Sequence, residues 1–99
     1  MENNNSVILS IVIPSYNSAK LLSRCIFALE NQSAKKAYFE ITVADDGSTD
    51  ETVEMLENFQ ARTELKLQWT TIKNSGPATA RNAGVAITSG PWIGFIDAD

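Results

Sequence analysis

Val7-Ile8-Leu9-Ser10-Ile11-Val12-Ile13 is apolar and largely β-branched, and Pro14 closes the run. A half-exposed strand would alternate polar and apolar positions. A nearly continuous run belongs instead to a strand buried on both faces of a parallel sheet, and proline ends it because it has no amide to give to the ladder. The run therefore predicts a central strand, around which the other elements can be placed.

Downstream, Leu21, Leu22, Cys25, Ile26 and Leu29 recur at helical spacing and predict a helix over residues 18–31. A second strand follows over residues 38–44. After Asp45-Asp46-Gly47, the stretch Ser48-Thr49-Asp50-Glu51 fits a capping box, in which Ser48 accepts from the Glu51 amide and the Glu51 side chain reaches back, ahead of a helix running to about Phe59. Leu65, Leu67 and Trp69 alternate with Lys66 and Gln68, so the third strand reads as an edge. Pro77 suits the first position of a third helix, capped by Ser75 or Gly76. Gly90-Pro91 then supplies a left-handed stop and a breaker before a fourth strand over residues 92–96. Strict alternation of strand and helix predicts an α/β fold, a doubly wound, mostly parallel sheet with right-handed crossovers.

With 99 residues, 43% hydrophobic and 20% charged, the chain has the composition of one globular domain. Residues 1–6 form a polar start expected to be disordered, leaving residues 7–99 as the folded part. A net charge of -4 argues against nucleic acid as a partner, since neutralising phosphates needs clustered Lys and Arg. The single Cys25 forms no internal disulfide, and no histidine exists to activate it, so it reads as a core residue. No run approaches membrane-spanning length and no signal-like start is present, which points to a cytoplasmic setting.

Ligands of doubly wound sheets sit beyond the carboxyl ends of the strands. The polar clusters fall there: Ser15-Tyr16-Asn17, Asp45-Asp46-Gly47, Asn74-Ser75-Gly76 and Asp97-Ala98-Asp99. The first turn lacks glycine, and no glycine loop with lysine occurs, which argues against a dinucleotide enzyme or a P-loop ATPase. Asp97 and Asp99, two apart after an apolar strand, point to the same side, where a divalent cation such as Mn²⁺ or Mg²⁺ would accommodate their charge and anchor a diphosphate. A carboxylate after the second strand can accept from the ring N–H of a base such as uracil. Asp45 and Asp46 are adjacent, so the pleat sends them to opposite sides; one meets the ligand and the other braces the loop, and which does which stays open. Ala80, Ala83 and Gly84 let the third helix lie close to the sheet, aiming Arg81 at a base, ribose or phosphate.

Ser10-Ile11-Val12-Ile13-Pro14-Ser15-Tyr16-Asn17, Val43-Ala44-Asp45-Asp46-Gly47-Ser48-Thr49-Asp50, Asn74-Ser75-Gly76 with Ala80-Arg81-Asn82-Ala83-Gly84, and the closing Asp97-Ala98-Asp99 resemble, in order and at natural spacing, the motifs of the family 2 glycosyltransferases with the GT-A fold. The resemblance implies a Rossmann-like sheet of order 3-2-1-4 and the nucleotide-sugar half of an inverting, metal-dependent enzyme of cell-envelope polysaccharide synthesis. By that analogy Pro14, Tyr16 and Asn17 border the nucleoside, Asp45 or Asp46 binds the base, and Arg81 supports base or phosphate. Asp97 then lies near ribose and metal, and Asp99 coordinates the metal. The donor would be a UDP-sugar and the acceptor a saccharide or lipid-linked hydroxyl in a fuller protein, which could lie at the inner membrane face. The acceptor half and the catalytic base are expected beyond residue 99, so the chain is read as a truncated domain without efficient transfer of its own, and its apolar last strand as an edge open to self-association. Two rivals remain: a non-catalytic nucleotide-binding module, and a metal-dependent nucleotidyltransferase, which would more typically carry a glycine- and lysine-bearing first loop.

Overall fold

The apolar run that opens the chain forms β1 (Leu9–Ser15) in a computed structural model that describes residues 7–32 and 38–98. It is followed by α1 (Ala19–Glu30), β2 (Phe39–Asp45), α2 (Thr52–Arg62), β3 (Lys66–Thr71), α3 (Pro77–Ala86) and β4 (Trp92–Phe95). The four strands make one parallel sheet of order β3-β2-β1-β4, the order expected. The chain steps outward from β1 through β2 to β3, then returns through α3 to the far side of β1. The loops after β1 and β4 therefore diverge at a topological switch point, where such sheets open a crevice. The expected disorder of residues 1–6 lies outside the described residues.

β2 is buried along its whole length, as the residue pattern of an inner strand requires. On one face, Ile11, Ile13, Ile41 and Val43 pack with Leu22 and Ile26 of α1 and Leu56 and Phe59 of α2. Cys25 packs against this cluster, and burial pushes its thiol up, away from reactivity. On the opposite face Val12 and Ala44 meet Ala80 of α3. That layer is thin by necessity. A Cβ added at Gly84 would lie 2.8 Å from Val12 Cγ1 and 3.2 Å from Ala44 Cβ, so only glycine lets the helix sit this low.

Two local expectations are corrected. The capping box does not form: α2 begins after Glu51 with no side-chain cap of its own, and Ser48 Oγ accepts instead from the Asn17 amide. Asp50 takes over, its Oδ1 accepting from the Thr52 amide at 3.1 Å and from the Thr52 hydroxyl. A carboxylate is the stronger acceptor for a helix N-terminus, so the ionic group displaces the hydroxyl. Gly90 is not a left-handed stop either, since positive φ occurs only at Asn17, Gly47 and Gly76 among the described residues. Gly90 is needed for room: an added Cβ would stand 2.8 Å from Ser10 Oγ.

That contact belongs to a buried network that the sequence did not announce. The Ser10 hydroxyl donates to Glu40 Oε2 at 2.6 Å, the Ser89 amide donates to the same oxygen at 2.7 Å, and the Ser89 hydroxyl donates to Oε1 at 3.0 Å. The Gly90 amide completes it by donating to Ser10 Oγ at 2.9 Å. Burial alone would raise the Glu40 carboxyl, but these donors and the charge of Lys66 outweigh it and hold the group below the usual glutamate range. The network pins the α3–β4 connection beneath the sheet, at the end opposite the crevice. No helix among the described residues is long and apolar enough to cross a membrane.

Candidate functional site

A cleft of about 540 Å³ opens at the carboxyl ends of the strands. Each of the four loops contributes to it. From the end of β1 come Pro14, Ser15 and Tyr16, with Ser18 at the entrance to α1; from β2 comes Asp46; from the β3–α3 loop come Asn74 and Gly76; Pro77, Ala80 and Arg81 follow on α3; and Asp97 follows β4. Of the residues expected at the site, Pro14, Tyr16, Asp46, Arg81 and Asp97 are thus brought together, whereas Asn17 and Asp45 do not line the cleft and Asp99 lies outside the described residues.

Why the two aspartates part company follows from the pleat. Asp45 shares the α1–α2 side of the sheet with Val43, and its Oδ1 accepts from the Ser48 amide at 3.3 Å. Asp46 turns to the other side. Its Oδ1 accepts from the Ser75 amide at 2.8 Å, and its Oδ2 accepts from the Gly76 amide at 3.0 Å and from Asn74 Nδ2 at 3.2 Å. Gly76 is the N-cap of α3, and Asp46, accepting from the amides of Ser75 and Gly76 just before the first turn, sets a negative charge near the helix N-terminus.

Two buried polar atoms are left without a partner among the described residues: Ser15 Oγ and Asp45 Oδ2. They are neighbours, because Ser15 pairs with Asp45 in the β1–β2 register. Arg81, half-buried in the wall, likewise makes no hydrogen bond or ion pair among the described residues. The cleft thus combines the Ser15 backbone edge with the unpaired Asp45 oxygen buried behind it, a free cation on one wall, an aromatic ring at the rim and the Asp97 carboxylate at the switch point. Such a set suits a ligand that carries both a hydrogen-bonding ring and an anionic group.

Of the other wall residues, Ser15, Asn74 and Gly76 fell in the strand-end clusters and Ser18, Pro77 and Ala80 on the helices that follow them, none singled out as a site residue; a position at or just after a strand end was the available signal. Asn17 is stitched to the neighbouring loop, its Oδ1 accepting from the Thr49 amide at 2.7 Å.

Comparison with known proteins agrees with this geometry. The model of the family described as glycosyl transferase family 2 matches residues 10–99. A poly(ribitol-phosphate) beta-glucosyltransferase of Bacillus spizizenii is 38% identical over 92 residues, which are 92% of this chain and 14% of that protein. The crystal structure of S. aureus TarS in complex with UDP-GlcNAc superposes with a TM-score of 0.86 at 33% identity, covering 94% of this chain and 27% of that one. A mannosyltransferase from Pyrobaculum calidifontis, solved with GDP-Man and Mn2+, shares the fold with a TM-score of 0.86 at 24% identity, covering 95% of this chain and 28% of that one. The chain therefore spans a minor part of the proteins it matches. Four parallel strands in this order, a cleft at their carboxyl ends and a family match over nearly the whole sequence lead to one conclusion: the chain belongs to glycosyl transferase family 2.

Proposed function

We propose that the chain is the donor-binding part of an inverting glycosyltransferase that moves a sugar from a UDP-sugar to a hydroxyl of a saccharide or lipid-linked acceptor in cell-envelope polymer synthesis. The observation that carries this reading is the pair of unpartnered atoms, Ser15 Oγ and Asp45 Oδ2, buried side by side where Ser15 lines the cleft and Asp45 lies behind it. Buried polar atoms are almost always hydrogen-bonded, so two adjacent exceptions beside a cavity call for a ligand that satisfies them. Uracil presents a ring N–H flanked by carbonyl oxygens. Asp45 Oδ2 accepts from that N–H and the Ser15 hydroxyl donates to a carbonyl. Asp46 lines the cleft, but each of its oxygens already accepts from the β3–α3 loop, whereas Asp45 Oδ2 has no partner. Tyr16 and Pro14 border the nucleoside, and Arg81 supports base or phosphate. The co-crystallised UDP-GlcNAc of TarS supports the choice of donor.

The donor set at the switch point also fits a hard divalent ion. Asp97 offers a carboxylate in the cleft, and no cluster of three acidic, His or Cys side chains stands ready among the described residues. Mg²⁺ and Mn²⁺ commonly take one or two carboxylates and complete their shell with water and substrate phosphate, so such an ion would arrive with the donor. Asp97 and Asp99 would hold it, and when bound it would neutralise the departing diphosphate. Deprotonation of the acceptor is assigned to no residue of this chain.

Calorimetric titration with UDP, with and without Mn²⁺ and against GDP and NAD, tests the reading. Metal-dependent binding of UDP in preference to GDP and NAD supports it. A folded chain that binds none of these nucleotides overturns the donor-site reading, and equal affinity for GDP overturns the assignment of uracil.

A further inference from the structure

We propose that Asn17 and Asp50, neither of which lines the cleft, are positioning residues that set the nucleotide subsite by locking the loop after β1 to the loop after β2. The proposal rests on the UDP reading above for its ligand. Asn17 sits between the two wall residues Tyr16 and Ser18 with φ +47°, a left-handed conformation that asparagine tolerates. That turn sends its side chain away from the cleft and into the neighbouring loop. Its Oδ1 accepts from the amides of Thr49 at 2.7 Å and Asp50 at 3.3 Å, while its own amide donates to Ser48 Oγ at 2.9 Å. Asp50 answers from the other loop. Its Oδ2 accepts from the Ala19 amide at 3.2 Å and its Oδ1 from the Thr52 amide at 3.1 Å, so one carboxylate holds the first residues of both α1 and α2.

The lock has two outputs, one at the cleft rim and one behind it. It fixes the rim that carries Tyr16, whose carbonyl is further tied by the Ser18 hydroxyl at 2.9 Å. It also fixes Ser48, whose amide donates to Asp45 Oδ1 and leaves Oδ2 as the free acceptor. Asn17 and Ser48 stand near the surface, so the lock buries little apolar area and contributes geometry more than bulk stability.

The test uses Asn17→Gly, Asn17→Asp and Asp50→Ala, each measured for UDP affinity with Mn²⁺, thermal midpoint and amide hydrogen exchange. Glycine keeps the left-handed backbone and removes only the acceptor, so Asn17→Gly is expected to remain folded while UDP binding weakens about tenfold. Asn17→Asp, which keeps an acceptor, is expected to recover affinity to within about threefold of the parent. Exchange at the amides of Ala19, Thr49 and Thr52 is expected to accelerate in Asn17→Gly and in Asp50→Ala. Parental UDP affinity in a folded Asn17→Gly, or affinity that Asn17→Asp does not recover, overturns the proposal. If the parent chain itself binds no UDP, the donor reading has failed; unchanged exchange in both loss-of-acceptor variants then overturns the lock, and accelerated exchange sustains it.

Discussion

Both oxygens of Asp46 are taken by the loop that enters α3, whereas Asp45 keeps one oxygen without a partner in a fully buried position. An unpaired buried acceptor costs stability, so a residue retained there is expected to trade stability for binding. Asn is nearly isosteric with Asp and removes the charge. Asp45→Asn is therefore expected to unfold at the same or a higher temperature than the parent while UDP affinity falls at least about tenfold. Calorimetric titration beside a thermal melt checks both halves, and undiminished affinity would assign the base to another group. The sequence could say that the two aspartates face opposite ways but not which of them the β3–α3 loop would engage. That depended on where the Asn74–Gly76 amides came to rest, a consequence of the β3–α3 loop folding back over Asp46.

Among the elements, α3 is the one whose placement decides the cleft wall, because it carries Pro77, Ala80 and Arg81. Its low seat on Val12 and Ala44 depends on Gly84. Gly84→Ala forces an added methyl against both, so a loss of about 1–3 kcal/mol in denaturant unfolding is expected, with weaker UDP binding as Arg81 shifts outward. The far end of α3 is governed by Glu40. Its carboxyl lies below its unfolded value, so its contribution is complete above the ordinary glutamate range near about 4.3 and is lost as pH falls through the lowered folded value. Glu40→Gln is expected to melt well below the parent at neutral pH and to converge with it as the solution is acidified below that range. A gap that stays constant across those pH values would show that the charge of Glu40 is immaterial. In the sequence, Glu40 read as one polar residue between Phe39 and Ile41. Nothing local marked its partners, which lie 30 and 49 residues away.

At the scale of the whole sheet, the outermost strand beside β1 among the described residues is β4, which exposes Trp92, Ile93 and Phe95. Residues 92–96 carry no charge or proline that would discourage another strand. Antiparallel pairing of two copies about Gly94 would set Ile93 opposite Phe95 on one face and Trp92 opposite Ile96 on the other, every pair apolar. The 99-residue chain is accordingly expected to show concentration-dependent mass in sedimentation, and Ile93→Lys to hold it as a monomer. A monomer at all concentrations in the parent chain would refute self-pairing.

The order of strands and helices, the burial of β1, the edge character of β3 and the loops that meet at the cleft were all legible in the sequence. They are set by local periodicity and by the rule that α/β ligands gather at strand ends. The tertiary structure alone decided which atoms were spent and which were left over. Asp50 replaced the expected Ser48–Glu51 box, Gly90 proved to be a matter of clearance, Asn17 turned from the cleft into the next loop, and Ser15 and Asp45 kept their unpaired oxygens. Hydrogen-bond partners are chosen by proximity across loops some 30 residues apart, and periodicity along the chain holds no information about that competition.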